Sequence, residues 1–258
     1  MKITKLEKKK RLYLLETDQN KQAYITEDTI VRFFLTKGKE ISEHEWKELI
    51  QFAQFSYGKN LALYYLYFKK RTKKEVETYL EKHDVDPLTI PDILHKLQEE
   101  NWIDDQDYVQ QVLFQNALSG DKGPQALRQK LYQKGISKHI IEACLELEEF
   151  DEIAEKVAKK LHKKYLGKYS DRALKQKVKQ GLLLKGFENK EADKALQKIE
   201  WVQDEQEQET LLNKELDKAY RKYSRTDTDY SLEQKIIRYL LRKGYDYDKI
   251  KRALREYM

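Results

Sequence analysis

The sequence predicts a mainly α-helical protein of tandem three-helix repeats stacked into an elongated, curved array, preceded by a small N-terminal antiparallel β element. Three observations predict it. The 258 residues include only 9 Gly and 3 Pro, too few turn formers for a β-sandwich or a glycine-rich nucleotide fold. Charged residues make up 37% and hydrophobic ones 40%, with helix-forming Lys, Glu, Leu and Gln prominent. Amphipathic helical patterns recur along the chain at steps of 51, 51 and 58 residues.

The first residues read differently from the rest. Ile3–Leu6, Leu12–Leu15 and Ala23–Ile25 are short apolar or alternating runs, separated by Glu7–Arg11 and by the turn chemistry of Thr17-Asp18-Gln19-Asn20. They predict a small antiparallel sheet or hairpin. Thr26 before Glu27-Asp28 is an N-cap for a helix through Val31, Phe34 and Leu35, with Gly38 ending it. Ser42-Glu43-His44-Glu45 forms a capping box for a second helix, on which Trp46, Leu49, Ile50 and Ala53 share a face.

From about residue 60 the chain repeats. Leu80, Leu131, Leu182 and Leu240 serve as anchors. Four residues before them stand Val76, Leu127, Val178 and Ile236; four after stand Asp84, Gly135, Gly186 and Gly244, and then Val85, Ile136, Phe187 and Tyr245. A helix that ends on a left-handed residue, normally Gly, and folds an apolar residue back over its last turn produces this spacing. An amphipathic stretch lies upstream of each anchor helix (Leu61–Phe68, Tyr108–Leu118, Ile153–Tyr165, Leu211–Tyr223), and another follows the turn. The predicted organisation is therefore an N-terminal element over 1–58 and three-helix repeats over 59–105, 106–150, 151–205 and 206–258. A three-helix unit buries little alone, so neighbours must stack. Ser224–Ser231 is the expected loop insertion behind the longest step.

Charge and motifs narrow the function. The net charge of +6 is unevenly spread: residues 61–150 carry −4 and residues 151–258 carry +7. Such a two-signed molecule suits docking along a polyelectrolyte or a charged assembly, although mixed Lys/Glu faces also simply solvate helices. Gly120-Asp121-Lys122-Gly123-Pro124 resembles a phosphate loop but lacks the Gly-Lys-Ser/Thr ending and a preceding strand. It reads as a turn with Pro124 opening a helix, a partner contact being the alternative. Asp104 or Asp105 reads as an N-cap, with Trp102 and Ile103 packing the junction. Tyr64-Tyr65-Leu66-Tyr67-Phe68 precedes a basic run and could stack bases, but core packing is the better account because adjacent helical residues face different sides. The run from Lys159 to Lys168 and the Lys249–Arg255 cluster follow either a phosphate backbone or solvent. Cys144 stands alone, and the five His have no ligand-like spacing. No catalytic arrangement is legible, so no enzyme activity, metal or cofactor is expected. With neither an apolar span nor a signal peptide, the expected place is the cytoplasm.

Ile103-Asp104-Asp105 with Tyr108, Lys122-Gly123-Pro124, Leu127, Leu131 and Lys134-Gly135-Ile136, in this order and spacing, resembles the RecX family of bacterial regulatory proteins. The likeness runs from about Leu61 to Met258. Glu27-Asp28 through Lys37-Gly38-Lys39-Glu40-Ile41 is similar to the longer members of Gram-positive bacteria. Asp84, where later repeats have Gly, departs from the pattern.

The resemblance implies a non-catalytic modulator of the RecA recombinase. It would bind the groove of the RecA–DNA filament and inhibit ATP hydrolysis and strand exchange in DNA repair and the SOS response. The alternative is a stand-alone nucleic-acid-binding helical-repeat protein. Expected partners are the recombinase filament and single- or double-stranded DNA, with the chain acting as a monomer. Arg71, Lys122, Lys134, Lys159, Lys160, Lys163, Lys164, Arg242 and Lys243 are the candidate contacts. Asp104, Asp105, Gly123, Pro124, Gly135, Ile136, Gly186 and Gly244 form the structural motif.

Overall fold

The computed structural model describes residues 1–201, 204–226 and 228–257. It comprises two compact units, residues 1–112 with 130–144 and residues 113–129 with 145–258. Among the described residues the strands are β1 (Ile3–Lys9), β2 (Leu12–Thr17) and β3 (Gln22–Ile25). The helices of the N-terminal part are α1 (Glu27–Phe33), α2 (Glu43–Tyr67), α3 (Lys73–Glu81) and α4 (Ile90–Glu99). Next come α5 (Asp105–Ser119), α6 (Pro124–Gln133) and α7 (Lys138–Leu145), then α8 (Asp151–Tyr165), α9 (Asp171–Leu184) and α10 (Asn189–Gln197). The chain closes with α11 (Glu205–Tyr223), α12 (Asp229–Arg242) and α13 (Tyr247–Tyr257). Asp227, in the expected insertion, lies outside the described residues.

In the first unit the strands form an antiparallel sheet in the order β1-β2-β3, with Leu6 opposite Leu15 and Leu15 opposite Ala23. The inward side chains Ile3, Leu15 and Ile25 join Leu35, Ile41, Trp46, Leu49 and Ala53 in one core. Thr26 caps α1 by accepting from the Thr29 N–H, and Ser42 and Glu45 close the expected capping box on α2. Three details differ from the sequence reading. Phe34, not Gly38, ends α1 in a left-handed conformation (φ +48°), because its N–H and that of Leu35 turn back onto the Val31 and Ile30 carbonyls. The helix opened by Ser42 and the stretch Leu61–Phe68 are one continuous 25-residue helix, so a boundary at residue 58 falls inside α2. Gly58 stays helical there: a Cβ would lie 2.5 Å from Ile93 Cδ1, so the missing side chain permits close packing rather than a break. Trp102 is 53% exposed, while Ile103 alone enters the core of α2, α3 and α4.

The four turns that follow α3, α6, α9 and α12 are built alike. The N–H groups of Val85, Ile136, Phe187 and Tyr245 bond to the carbonyls of Leu80, Leu131, Leu182 and Leu240. Those of Asp84, Gly135, Gly186 and Gly244 bond to Glu81, Tyr132, Leu183 and Leu241. These paired bonds are the Schellman arrangement, which satisfies the last helical carbonyls and presses an apolar residue onto the helix end. Asp84 adopts φ +56° and the three glycines adopt φ +79°, +86° and +87°, so the sequence columns report one turn repeated.

In three of the four turns the glycine meets another helix start. Thr72 Oγ1, ahead of α3, donates to the Lys134 carbonyl at 2.8 Å. The Gly123 N–H, ahead of α6, donates to the Lys185 carbonyl at 2.8 Å, and the Gln125 N–H to the Gly186 carbonyl at 3.0 Å. Ser170 Oγ, the N-cap of α9, donates to the Lys243 carbonyl at 2.7 Å. Each time the acceptor is the carbonyl just before the glycine and the donor stands at the start of the equivalent helix one repeat earlier. A Cβ on Gly135, Gly186 or Gly244 would lie 2.4 Å from Lys74 Cβ, 2.4 Å from the Ala126 nitrogen or 2.8 Å from Ser170 Oγ.

In the second unit α8 packs on α9 and α10, and α11 on α12 and α13. Leu212, Leu216, Ile236, Leu240, Ile250 and Leu254 lie in the core of the last triplet.

Candidate functional site

The candidate contacts are cationic side chains on helix faces and turns, and each one's backbone position decides what it can do. Helix α8 buries Ile153, Ala154, Val157, Ala158 and Leu161. The opposite face holds exposed Lys160, Lys163 and Lys164, together with Lys156 one turn earlier. Lys156 belongs to this ridge by its i, i+4 spacing to Lys160 and was the member missed in the sequence. Lys159 is bound closer to home, 2.7 Å from Glu155 one turn back. Lys168 Nζ donates to the Lys164 carbonyl at 2.9 Å. The cationic groups of the last turn also complement the negative end of the helix dipole.

Lys122 lies in a loop clamped by a buried amide. Asn116 Nδ2 donates to the Lys122 carbonyl at 2.9 Å, and the Lys122 N–H donates to Asn116 Oδ1 at 3.2 Å. Pro124 opens α6 as expected. Lys185 donates to Asp121 in the same loop, and this bond holds the Asp121 carboxyl below its usual range, with nearby Lys160 adding to the effect. The loop is thus a fixed, charged turn whose Lys122 side chain faces solvent.

Arg71 and Lys134 flank one carboxylate at the first repeat joint. Lys134 Nζ is 2.6 Å from Glu75 Oε1. Burial alone would raise the Glu75 pKa; hydrogen bonds from Lys134 and the Thr72 N–H outweigh it and hold the group below its ordinary value, with the Arg71 charge contributing. The Arg71 guanidinium lies 4.2 Å over the Tyr65 ring, Tyr65 stacks on Tyr79 at 4.0 Å, and Tyr79 meets His83 at 4.1 Å. Beside this column an open groove of about 370 Å³ is lined by Tyr65, Lys74, Tyr79, Lys82, Lys130 and Lys134, among others. Lys243 stands 3.5 Å from Glu215 and 5.5 Å over Tyr239, and Arg242 bonds the Arg238 carbonyl from an exposed position.

Asp104, not Asp105, caps α5, its carboxylate accepting from the Gln106 and Asp107 N–H groups. Asp105 instead accepts from the Lys73 N–H at 2.9 Å, tying the start of α5 to the start of α3. Burial raises its pKa despite that bond. Ile136 is buried at the first joint. Among the described residues, no cluster of three or more His, Cys, Asp or Glu could hold a metal ion, and no helix is long and apolar enough to cross a membrane.

Models of the first and second three-helix domains of RecX match residues 59–97 and 104–145, and the model of the third matches twice, over 148–196 and 205–254. The chain belongs to the RecX family. It is 53% identical over its whole length to the regulatory protein RecX of Streptococcus sanguinis, and equally to that of Streptococcus mutans serotype c, with both proteins covered in full. A crystal structure of a regulatory protein RecX superposes with a TM-score of 0.63 at 30% identity, over 74% of this chain and 97% of that one. RecX from Lactobacillus salivarius gives 0.55 at 34% identity, over 58% and 98%. The tandem three-helix repeats described above are therefore the RecX architecture, and the two matches of the third model fall on the α8–α10 and α11–α13 triplets.

Proposed function

We propose that this RecX-family chain binds the RecA–DNA filament and lowers its ATP hydrolysis and strand exchange, acting in DNA repair and the SOS response. It takes no catalytic part and carries no cofactor. The observation that carries this reading is the 53% identity to regulatory proteins RecX along the full length of both chains. The exposed ridge Lys156, Lys160, Lys163 and Lys164 is the surface most suited to a polyanionic or acidic partner, because burial fixes the opposite face of α8 inward. Lys122 and Arg242 join the candidate contacts. Lys134, Lys159 and Lys243 already have carboxylate neighbours and would have to exchange them. Their ammonium groups are 37%, 61% and 50% exposed but the paired carboxylates only 20%, 23% and 19%, so exchange with a phosphate has to offset leaving a half-buried carboxylate without that partner.

The test is the DNA-dependent ATPase of the recombinase under increasing amounts of the chain. Hydrolysis falls with added protein, and the effect weakens as salt rises. Unchanged hydrolysis and strand exchange at saturating protein would refute the reading.

A further inference from the structure

The β1–β2 turn lies outside the segments matched by the three-helix models, and it meets exposed rings at the end of α2, inside the first matched segment, 59–97. Lys9 pairs with Leu12, so Lys10 and Arg11 alone form the β1–β2 turn. Lys10 adopts φ +54°, a conformation for which such turns normally recruit Asn or Gly. A lysine there keeps charge at the tip against local preference. The Arg11 guanidinium lies 5.2 Å over the Tyr64 ring on the last turns of α2. Tyr64 meets Phe68 edge-on at 5.2 Å, and Phe68 meets Tyr67 edge-on at 5.6 Å. These three rings are 50%, 64% and 82% exposed in the order Tyr64, Phe68, Tyr67. The core-packing account therefore fails for them: Tyr64, Tyr67 and Phe68 stand at i, i+3 and i+4, which share one helical face, and Phe68, the C-cap, keeps helical dihedrals (φ −79°, ψ −31°), so all three rings gather on one exposed side. Lys69 and Lys70 follow. Glu7 engages Lys5 and Lys9, and Asp107 engages Lys70. Among the described residues, no carboxylate lies within ion-pair distance of Lys8, Lys10, Arg11 or Lys69.

Exposed rings framed by unpaired cations match one kind of polymer, a charged backbone carrying unpaired bases. Duplex DNA keeps its bases stacked inside and offers such rings nothing, whereas a single strand can lay bases on them and phosphates on the lysines. We propose that the β1–β2 turn and the C-terminal end of α2 form a single-stranded nucleic-acid site, with Tyr67 and Phe68 stacking bases and Lys8, Lys10, Arg11 and Lys69 holding phosphates. This does not rest on the recombinase reading, since the site needs no recombinase.

The test measures anisotropy of fluorescein-labelled oligo-dT with the full chain, against a duplex of equal length. Tyr67→Ala with Phe68→Ala weakens oligo-dT binding by about ten-fold or more but duplex binding by less than about two-fold. Tyr67→Phe keeps the affinity. Lys10→Glu with Arg11→Glu lowers the logarithmic salt slope by roughly 0.7 per lost phosphate contact. Far-UV circular dichroism confirms that these exposed substitutions leave the fold intact. The proposal falls if the wild-type chain fails to bind oligo-dT at low salt, if the double alanine variant binds it normally, or if that variant loses oligo-dT and duplex alike. A wild-type chain that binds oligo-dT but leaves the recombinase ATPase unchanged refutes the proposed function alone.

Discussion

Gly186→Ala separates the two demands that each repeat turn places on its glycine. The first is conformational: φ is +86°, and a side chain in the left-handed region costs about 1–2 kcal/mol, partly offset by about 0.4–1 kcal/mol from a stiffer unfolded chain. The second is spatial, since the new methyl would sit 2.4 Å from the Ala126 backbone nitrogen. Relieving that overlap moves α6 away and stretches the bonds from the Gly123 and Gln125 N–H groups, at 2.8 and 3.0 Å. Overpacking of this kind costs about 1–3 kcal/mol and each lost bond about 1 kcal/mol. With both bonds lost the total is about 3–7 kcal/mol. Two controls divide it. Gly167 has φ +69°, and a methyl there would find nothing within 4 Å, so Gly167→Ala carries only the conformational part, about 1 kcal/mol. Gly123 is absent from the positive-φ residues, yet its Cβ would lie 2.3 Å from the Phe187 nitrogen, so Gly123→Ala carries only the spatial part. Urea denaturation followed by circular dichroism ranks the three, and amide exchange at Gly123 and Gln125 quickens in Gly186→Ala. If Gly186→Ala costs no more than Gly167→Ala, the joint contributes nothing and the argument fails.

Other outcomes follow from the same geometry. Gly135→Val harms folding rather than contact and lowers the denaturation midpoint by the equivalent of several kcal/mol, about 3 or more, because a β-branched residue at φ > 0 is strained and would also strike Lys74; Asp84→Gly shifts stability by less than about 1 kcal/mol. Glu75 is held below its ordinary 4.5, so its pairing stabilises the fold above that value and is lost as pH falls through the lower folded pKa; Lys134→Met therefore flattens the acid limb of the stability curve, and an unchanged limb would contradict the pairing. Burial pushes Tyr245 up to about 12 from 10.0, so stability present below 10 is lost as pH rises towards 12, and Tyr245→Phe should lose less across that window in alkaline denaturation. Lys160→Glu with Lys164→Glu, both exposed, weakens filament inhibition at moderate salt by about ten-fold or more without changing the melting curve; inhibition at wild-type strength would reject that placement.

What the sequence made legible was whatever depends on neighbours a few residues apart. Caps at Thr26 and Ser42 and the Schellman turns at the repeat glycines are local hydrogen-bond problems, and local residue types state them; for α5 they left Asp104 and Asp105 open, and only the structure selects Asp104. The division after residue 58 falls inside a continuous helix because the close approach of Gly58 to Ile93 depends on a segment distant in the chain. The aromatic run misled because adjacent rings do face apart, whereas Tyr64, Tyr67 and Phe68, at i, i+3 and i+4, share a face that the structure leaves exposed. Cations were hardest to rank. Lys134 meets Glu75 across 59 positions and Lys194 meets Asp151 across 43, whereas the Lys160, Lys163 and Lys164 ridge needed only the apolar stripe of its own helix to be placed at the surface.

The joints also explain why lysines can precede the glycines without being committed to one role. At each joint the neighbouring helix start is satisfied by the backbone carbonyl of Lys134, Lys185 or Lys243, not by the side chain. The ammonium groups then swing to different acids, Glu75, Asp121 and Glu215, so the pairing varies while the carbonyl bond repeats. Two of these pairs, Lys134–Glu75 and Lys185–Asp121, themselves cross between neighbouring repeats, so charge adds to the stacking while the carbonyl bond is the part that recurs. The carbonyls before the glycines, the Thr72 and Ser170 hydroxyls, the Gly123 N–H and a missing Cβ hold neighbouring repeats together, while the charged side chains around them differ from joint to joint. Asp84 keeps the same left-handed backbone with an exposed side chain, so the first turn carries a Cβ where the three later ones have glycine.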